Sequence, residues 1–339
     1  MLPKFGLKRL SRTRMKNIKN ILIIGLSSIG DNLLISPSIR RIKYCCENSS
    51  IDFVVGPRAV AFAEKNPLFS HIYIWDKKTG AKTLIKMLEN KKYDIIVDFR
   101  NSLLPFFLNA EYRVTFFVRE LFSRKFSTHE SERVLKFIEP YFGKSESVEL
   151  YFPLYHAEID EHKKAFERTG ISLDSDNFIV LNPGAAFEKK RWNKDRFAEV
   201  ARTIILKYGV KVIIVGSSDE FGLVEEIIAK IRDEKALNLA GKISFRQLAC
   251  LLSRSMLLIT NDTGTMHLAC AMKCPVIAIF GPGNPLRYGP IATKSIVLHT
   301  ERKCFPCRLE ARCDKDFVCM NDVAVQDVIS AVEKFLSPH

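Results

Sequence analysis

The stretch Ile21-Leu-Ile-Ile-Gly25-Leu-Ser-Ser-Ile-Gly30-Asp31-Asn32 gives the first indication of the chain's architecture. Its four consecutive aliphatic residues predict a buried strand, and the glycine and serines after them predict a tight loop. The apolar positions that follow predict a helix from residue 31 to about residue 46. A strand, a small-residue loop and a helix in this order are typical of a Rossmann-like parallel sheet.

The same alternation of short β-rich runs and helical patterns continues through both halves of the chain. It is interrupted only near residues 145–156, which contain Pro153. We therefore predict an α/β chain of two Rossmann-like domains, residues 1–155 and 156–339, that face one another across a cleft. Further strands are expected at residues 51–55, 72–75, 95–99, 178–181, 212–215, 257–260 and 276–280.

The composition is that of a globular protein. The 339 residues are 47% hydrophobic and 27% charged, and a chain of this length is expected to form two domains. The sequence shows neither an apolar run long enough to span a bilayer nor a signal-peptide pattern. The nine cysteines fit a compartment in which thiols stay reduced, so we expect a cytoplasmic protein.

The net charge of +14 suggests an anionic partner, although it is also compatible with solubility alone. Nucleic acid, an anionic membrane surface and a phosphorylated substrate would each fit. The sequence contains no zinc-finger spacing, helix-turn-helix pattern or RNA-binding aromatic motif, so nucleic acid is not expected as a partner.

The loop after the first strand contains an acidic residue, Asp31. Its glycines, Gly25 and Gly30, are five residues apart, so the loop is not a G-x-G-x-x-G dinucleotide motif. The small residues Ser28 and Gly30 would let an acceptor approach the start of the helix. Asp31 either satisfies the helix N-terminus or faces the cleft as a general base that takes a proton from a sugar hydroxyl.

Two loops in the second half are expected to bind phosphate. The first runs from Asn182-Pro-Gly184 to Lys190-Arg191-Trp192. It is either a solvated basic turn or a clamp for a diphosphate leaving group. The second loop, residues 260–267, reads Thr-Asn-Asp-Thr-Gly-Thr-Met-His and starts a helix whose free N–H groups would bind phosphate without a metal. His267 belongs either to this site or to the structural core. The Gly- and Pro-rich loop after residue 280 would form a wall of the same site.

Together, these motifs resemble glycosyltransferase family 9. The set comprises Ser-Ser-Ile-Gly30-Asp31, Asn182-Pro-Gly184 with Lys190-Arg191-Trp192, Asn261-Asp262-Thr263-Gly264 with His267, and Phe280-Gly-Pro. The similarity runs in register from about residue 20 to 336. Each motif alone is weak, but four in this order and spacing are specific.

The resemblance implies a GT-B fold, with the acceptor on the N-terminal half and ADP-heptose on the C-terminal half. It also implies transfer with inversion, without a metal or other catalytic cofactor, to lipopolysaccharide core or another cell-surface glycan. Asp31 matches the family's catalytic base and Lys190 its diphosphate-binding lysine. Ala185 stands where some members carry a hydroxyl group, which weakens the case for ADP-heptose but not for a nucleotide sugar. The donor site would be completed by Arg191, Asn261, Asp262, Thr263, Gly264 and His267.

The acidic acceptor is expected to contact a segment that mixes cations and aromatics, including Arg113, Arg124 and Lys125. The alternative for this segment is a solvated face above a core strand. The first twenty residues hold seven Lys or Arg and no acid, which predicts contact with anionic lipids. We therefore expect a peripheral protein on the inner face of the cytoplasmic membrane.

Four cysteines lie close together near the C-terminus: Cys304, Cys307, Cys313 and Cys319. The C-x₂-C pair followed by two more thiols could hold a structural zinc or an iron–sulfur cluster, and the alternatives are free thiols or a disulfide. Two other functions also remain open from the sequence, a GT-B-type nucleotide-sugar epimerase and a non-catalytic basic binding protein on the same fold.

Overall fold

The chain divides into two compact units, Met1–Pro153 (unit 1) and Leu154–His339 (unit 2), close to the break in the sequence pattern. Each unit has its own parallel sheet. The computed structural model describes residues 15–76, 78, 80–115, 128–292, 294–300, 302, 304, 307, 313 and 318–336.

Unit 1 contains a five-stranded parallel sheet in the order β3-β2-β1-β4-β5. The strands are β1 Asn20–Ile24, β2 Ser50–Val55, β3 His71–Ile74, β4 Tyr93–Asp98 and β5 Ala110–Thr115. The helices are α1 Ile29–Cys45, α2 Val60–Ala63, α3 Gly80–Leu88 and α4 Glu130–Phe142.

Unit 2 contains a six-stranded parallel sheet in the order β11-β10-β9-β6-β7-β8. Its strands are β6 Phe178–Asn182, β7 Lys211–Ile214, β8 Ala236–Asn238, β9 Leu258–Asn261, β10 Val276–Phe280 and β11 Ser295–His299. Its helices are α5 His156–Glu167, α6 Lys194–Tyr208, α7 Phe221–Ile231, α8 Phe245–Arg254, α9 Gly264–Ala271, α10 Pro285–Tyr288, α11 Val318–Asn321 and α12 Val325–Leu336.

The strand orders place a topological switch point in each sheet. In unit 1 the chain builds outward from β1 to β3, returns beside β1 with β4, and continues with β5. In unit 2 the corresponding neighbours are β6 and β9. Ligands of open parallel sheets bind outside the carboxyl ends of the strands at such points. The loops after β1, β4, β6 and β9 are therefore the places to look for a site.

The cores lie on both faces of the two sheets. The central strands are buried along nearly their whole length, and β6 is buried at every position. Helix α6 begins at Asn193, whose side chain accepts a hydrogen bond from the Asp195 N–H, and ends at Gly209 in a left-handed conformation. Its apolar face contributes Phe197, Ala201 and Ile204 to the core of unit 2.

Three strands were not anticipated from the sequence: β5, β8 and β11. Strands β5 and β11 are only partly buried, and β8 has three residues. All three are edge strands, so their side chains lack the continuous apolar pattern of a strand with neighbours on both sides. Within the described ranges, no helix has the length and apolar character needed to cross a membrane.

Candidate functional site

The loop after β1 is held in one conformation by Asn32, which is fully buried. Its Oδ1 accepts from the Leu26 N–H at 3.0 Å, and its Nδ2 donates to the carbonyls of Leu26 and Ser28 at 2.9 and 2.6 Å. Gly25 begins the loop, and a Cβ at this position would lie 2.5 Å from the ring of Phe53. The loop therefore depends on a glycine and on a buried amide.

Asp31 lies in the first turn of α1 and is exposed. Its backbone N–H donates to Ser28 Oγ at 3.1 Å, and Ser28 Oγ donates to Asp31 Oδ2 at 2.7 Å. Ser28 is thus the helix N-cap, and the carboxylate is oriented by the same hydroxyl. Asp31 is thus an accessible, oriented carboxylate beside the switch point of unit 1, and its role as general base stays a prediction.

We expect Gly25→Ala to destabilise unit 1 by about 1–3 kcal/mol, because the new Cβ would overlap Phe53 and Asn32. Gly222→Ala is the matched control. No atom would lie within 4 Å of its Cβ, so this helical substitution should stabilise the protein by about 0.5–1 kcal/mol. Thermal unfolding of both variants gives the comparison, and equal melting temperatures would show that the loop tolerates a side chain.

Arg100, which the sequence analysis did not select, lies on the other side of this switch point, directly after β4. Its Nη2 donates to Ser27 Oγ at 2.5 Å, and its guanidinium lies 4.3 Å from the centre of the Trp75 ring. Burial lowers the pKa of Arg100. Its position in the sequence could have indicated a functional residue, because Arg100 follows the predicted strand of residues 95–99 and loops at strand ends often carry functional residues.

Of the three cations that the sequence assigns to the acceptor segment, the structure describes only Arg113. The guanidinium of Arg113 donates three hydrogen bonds to backbone carbonyls of its own unit, and burial lowers its pKa. The structure thus gives Arg113 a role in holding the turn after β4, and its contact with the acceptor stays a prediction. Arg124 and Lys125 lie outside the described residues. The carbonyls that accept from Arg113 are those of Pro105, Leu108 and Ala110, at 2.7, 2.7 and 2.9 Å.

In unit 2, an ion pair joins the loops after β6 and β9. Lys190 Nζ lies 2.5 Å from Asp262 Oδ2, and both side chains are largely buried. Gly283 allows this approach, because a Cβ there would lie 2.4 Å from the same carboxylate oxygen. The pair therefore sits at the switch point, enclosed by the Gly-rich loop after β10.

Two asparagines hold these loops together. Asn182 Nδ2 donates to the hydroxyls of Thr260 and Thr263 at 3.2 and 3.0 Å. Asn261 is fully buried. Its Oδ1 accepts from the Trp192 N–H at 3.1 Å, and its Nδ2 donates to the Pro183 carbonyl at 2.8 Å. Asn261, predicted to contact the donor, thus fixes the loops around the ion pair.

Helix α9 begins at the same place. Its N-cap residue is Thr263, and the N–H groups of Gly264 and Thr265 form its first turn. The Thr263 hydroxyl accepts from Asn182 instead of capping the helix. Such an N-terminus binds phosphate oxygens through backbone N–H groups. His267 lies one turn further on and is buried, with 5% of its surface exposed.

Arg191 and Glu220 flank the loop that contains Gly184. Arg191 Nε donates to the Ala185 carbonyl at 3.1 Å, and its Nη2 lies 3.6 Å from Glu220 Oε1. A Cβ on Gly184 would lie 2.1 Å from the same Glu220 oxygen. Glu220 was missed by the sequence analysis. The sequence feature that could have pointed to Glu220 is the S-x-x-E pattern from Ser217 to Glu220, which forms a capping box in the structure.

Three of the four clustered cysteines, Cys304, Cys307 and Cys319, are free thiols. Within the described parts of the chain, no group of three or more His, Cys, Asp or Glu is placed to hold a metal ion. The structure therefore gives no support to the predicted zinc or iron–sulfur site. Burial, followed by the charges of neighbouring thiols, raises the pKa of Cys307 and of Cys319.

Comparison with known proteins identifies the family. The sequence model of glycosyltransferase family 9 (heptosyltransferase) matches residues 81–316. The chain belongs to glycosyltransferase family 9. Among its relatives is the lipopolysaccharide core heptosyltransferase OpsX of Haemophilus influenzae, which is 27% identical over 292 residues covering 80% of this chain and 82% of OpsX. The resemblance seen in the four motifs is confirmed, and the protein is a glycosyltransferase.

Solved structures confirm the fold class of this family 9 glycosyltransferase. A family 9 protein of Veillonella parvula superposes with a TM-score of 0.79 at 23% identity, covering 94% of this chain and 97% of that one. The structure described as ADP-heptose lps heptosyltransferase II of Escherichia coli gives a TM-score of 0.77 at 22% identity, covering 94% and 98%. Two Rossmann-like domains of the GT-B type are thus present, as the sequence predicts.

Proposed function

We propose that the protein transfers a heptose from ADP-heptose to a lipopolysaccharide core acceptor, with inversion at the anomeric carbon and without a metal. The observation that carries the proposal is the Lys190–Asp262 pair beside the N-terminus of α9. That arrangement suits a nucleoside diphosphate. The relatives' own names, which specify heptose, ADP-heptose and lipopolysaccharide, support the sugar and the acceptor class.

The chemistry of inversion needs one base and one leaving-group site. A hydroxyl of the acceptor attacks the anomeric carbon and forms the new C–O bond while the bond from that carbon to the diphosphate oxygen breaks. The proton of the hydroxyl passes to Asp31, whose carboxylate is exposed and oriented by Ser28. ADP leaves with the electron pair of the broken bond.

Unit 2 is suited to receive that negative charge. Lys190 supplies a cation, and the first N–H groups of α9 supply donors of fixed orientation. These groups replace the charge neutralisation that a divalent cation would provide. Asp262 holds Lys190 in place, so the lysine side chain loses little conformational freedom when the diphosphate binds.

In unit 1 we assign Arg100 to an acidic group of the acceptor. Its guanidinium is bonded to Ser27, and Ser28, the next residue, orients Asp31. A cation bonded to Ser27, the neighbour of Ser28, would fix an anionic acceptor, because charge-assisted hydrogen bonds from Arg to carboxylate or phosphate are directional. The proposal adds association with the anionic inner face of the cytoplasmic membrane, which the net charge of +14 supports.

The proposal is tested by incubating the protein with ADP-heptose and a purified lipopolysaccharide acceptor that lacks heptose, and analysing the products by mass spectrometry and NMR. We expect one added heptose, an inverted anomeric configuration and an undiminished rate in EDTA. A parallel panel of nucleotide sugars should show that ADP-heptose raises the melting temperature most, since a tight ligand stabilises the folded state.

A reaction without acceptor separates transfer from epimerisation. A new nucleotide sugar formed in the absence of acceptor would indicate an epimerase and contradict the proposal. Retention of anomeric configuration, or loss of activity in EDTA that added metal restores, would contradict the inverting or the metal-independent part.

A further inference from the structure

An apolar surface lies on the short turn Leu104–Phe107, in the connection that returns from the end of β4 to the start of β5. Leu104 and Leu108 face inward and belong to the core of unit 1. Pro105 is buried as well, whereas three other side chains face outward. Leu103 is 56% exposed, Phe106 36% and Phe107 65%. The turn is therefore amphipathic, with a leucine and two phenylalanines on its solvent side.

Helix α3 continues this surface. Leu84 and Leu88 of α3 belong to the same core cluster as Leu104 and Leu108, and the helix contacts the turn. Its outward side carries Met87, which is 58% exposed, and the exposed cations Lys82 and Lys86. The exposed apolar side chains of the turn are thus extended by a methionine and flanked by lysines. We call Leu103, Phe106, Phe107, Met87, Lys82 and Lys86 the interfacial patch.

The turn is held by its own unit before any partner binds. The guanidinium of Arg113 donates to the carbonyls of Pro105 and Leu108 at 2.7 Å each. These bonds satisfy backbone acceptors that a short turn leaves open, and they fix the direction in which Phe107 points outward. A rigid presentation of exposed apolar groups lowers the ordering cost of docking.

We propose that the interfacial patch inserts its apolar side chains into the surface of an anionic lipid bilayer. The inference rests on the proposed function in one respect, because a lipid-linked acceptor would explain why unit 1, which carries Asp31 and Arg100, docks on a membrane. Exposed aromatic and aliphatic side chains with lysines beside them have the chemistry of interfacial binding, in which apolar insertion and attraction to anionic headgroups act together.

The charge distribution favours a bilayer as the occupant. Residues 1–153 contain 26 of the 52 Lys and Arg but only 15 of the 38 Asp and Glu, so this unit carries +11 of the net +14. A second copy of the chain is disfavoured by the same charges. In a two-fold interface the patch would meet itself, and Lys82 and Lys86 would approach their own equivalents.

The experiment measures co-sedimentation of the full chain with phosphatidylcholine vesicles, with and without phosphatidylglycerol. The test variant is Leu103→Ser/Phe107→Ser. The matched control is Leu206→Ser/Phe221→Ser, which removes a leucine that is 78% exposed and a phenylalanine that is 41% exposed from unit 2. A third variant, Lys82→Gln/Lys86→Gln, removes the flanking charges. Circular dichroism confirms that all variants are folded.

We expect the wild type to bind the phosphatidylglycerol vesicles and the test variant to bind them at least about tenfold more weakly, because two large apolar groups no longer enter the lipid. The control should bind as the wild type does. The lysine variant should bind anionic vesicles more weakly than the wild type but keep part of the preference, because residues 1–153 retain 24 other Lys and Arg. Heptose transfer to a delipidated acceptor should be equal in all four proteins.

The proposal is overturned if the wild type does not bind vesicles, or if the test variant binds them unchanged. It is also overturned if the control loses as much affinity as the test variant. Sedimentation velocity tests whether a second copy of the chain covers the patch instead. If the wild type were a dimer and Leu103→Ser/Phe107→Ser a monomer, the patch would be a dimer interface and the proposal would be wrong. Absence of heptose transfer in every protein would instead refute the proposed function and leave the vesicle result standing.

Discussion

Asp31→Asn should lower turnover by about 10²–10⁴-fold, because the amide cannot accept the proton that the attacking hydroxyl must lose. The substitution keeps the size of the side chain, and the backbone N–H of residue 31 still reaches Ser28 Oγ. The helix start is therefore preserved. Donor affinity should stay as in the wild type, since Lys190 and Asp262, which we propose to bind the donor, lie in unit 2.

The measurement is kcat at saturating donor and acceptor, with donor affinity followed separately by thermal stabilisation. Ser28→Ala is the control for orientation, because it removes the hydroxyl bonded to Asp31 Oδ2 but leaves the carboxylate. Ser28→Ala should lower kcat much less than Asp31→Asn does and should change the pH–rate profile little. Asp31→Asn should remove from the pH–rate profile the rise in rate that accompanies deprotonation of the base. Full activity in Asp31→Asn would show that another group removes the proton.

The architecture could be predicted because the central strands are buried and apolar along nearly their whole length. Strands β1 and β6 have sheet neighbours on both sides and helices on both faces, so nothing interrupts their pattern. Strands β5 and β11 lie at the edges and mix exposed with buried positions. Their pairing depends on the sheet beside them, which a local pattern does not contain.

The site could be predicted as far as chain position determines it. Asp31, Lys190 and Asp262 all follow predicted strands, and strand ends of a parallel sheet share one edge. Partners across the fold could not be predicted. Nothing in the local sequence indicates that Arg113 binds backbone carbonyls or that Asn261 bonds to Trp192 and Pro183. Those contacts join residues that only the tertiary fold brings together.

The cysteine segment also shows that spacing along the sequence does not determine tertiary geometry. The spacing of Cys304, Cys307, Cys313 and Cys319 suggests a tetrahedral site. Spacing determines which thiols are close along the chain, but a metal requires four sulfurs directed at one point. The described residues contain no such arrangement, and the raised pKa of Cys319 favours its protonated thiol.

Lys190→Ala should lower turnover by about 10²–10³-fold, because the charge that builds on the departing diphosphate loses its cation. The substitution also leaves Asp262, whose side chain is largely buried, without its ion-pair partner at 2.5 Å. An uncompensated carboxylate beside a diphosphate repels it. Donor affinity should therefore fall together with turnover, in contrast to Asp31→Asn.

The double variant Lys190→Ala/Asp262→Asn separates these two effects. Removing the carboxylate removes the repulsion, so the double variant should regain donor affinity relative to Lys190→Ala while turnover at saturating donor stays low. Lys189→Ala is the neighbouring control on the same loop and should retain most activity. Steady-state kinetics and donor binding of the wild type, Lys190→Ala, Asp262→Asn and the double variant give the double-mutant cycle. If Lys190→Ala were fully active at saturating donor, the diphosphate clamp would have to be Lys189 or Arg191, and the ion pair with Asp262 would be only a structural contact between the loops after β6 and β9.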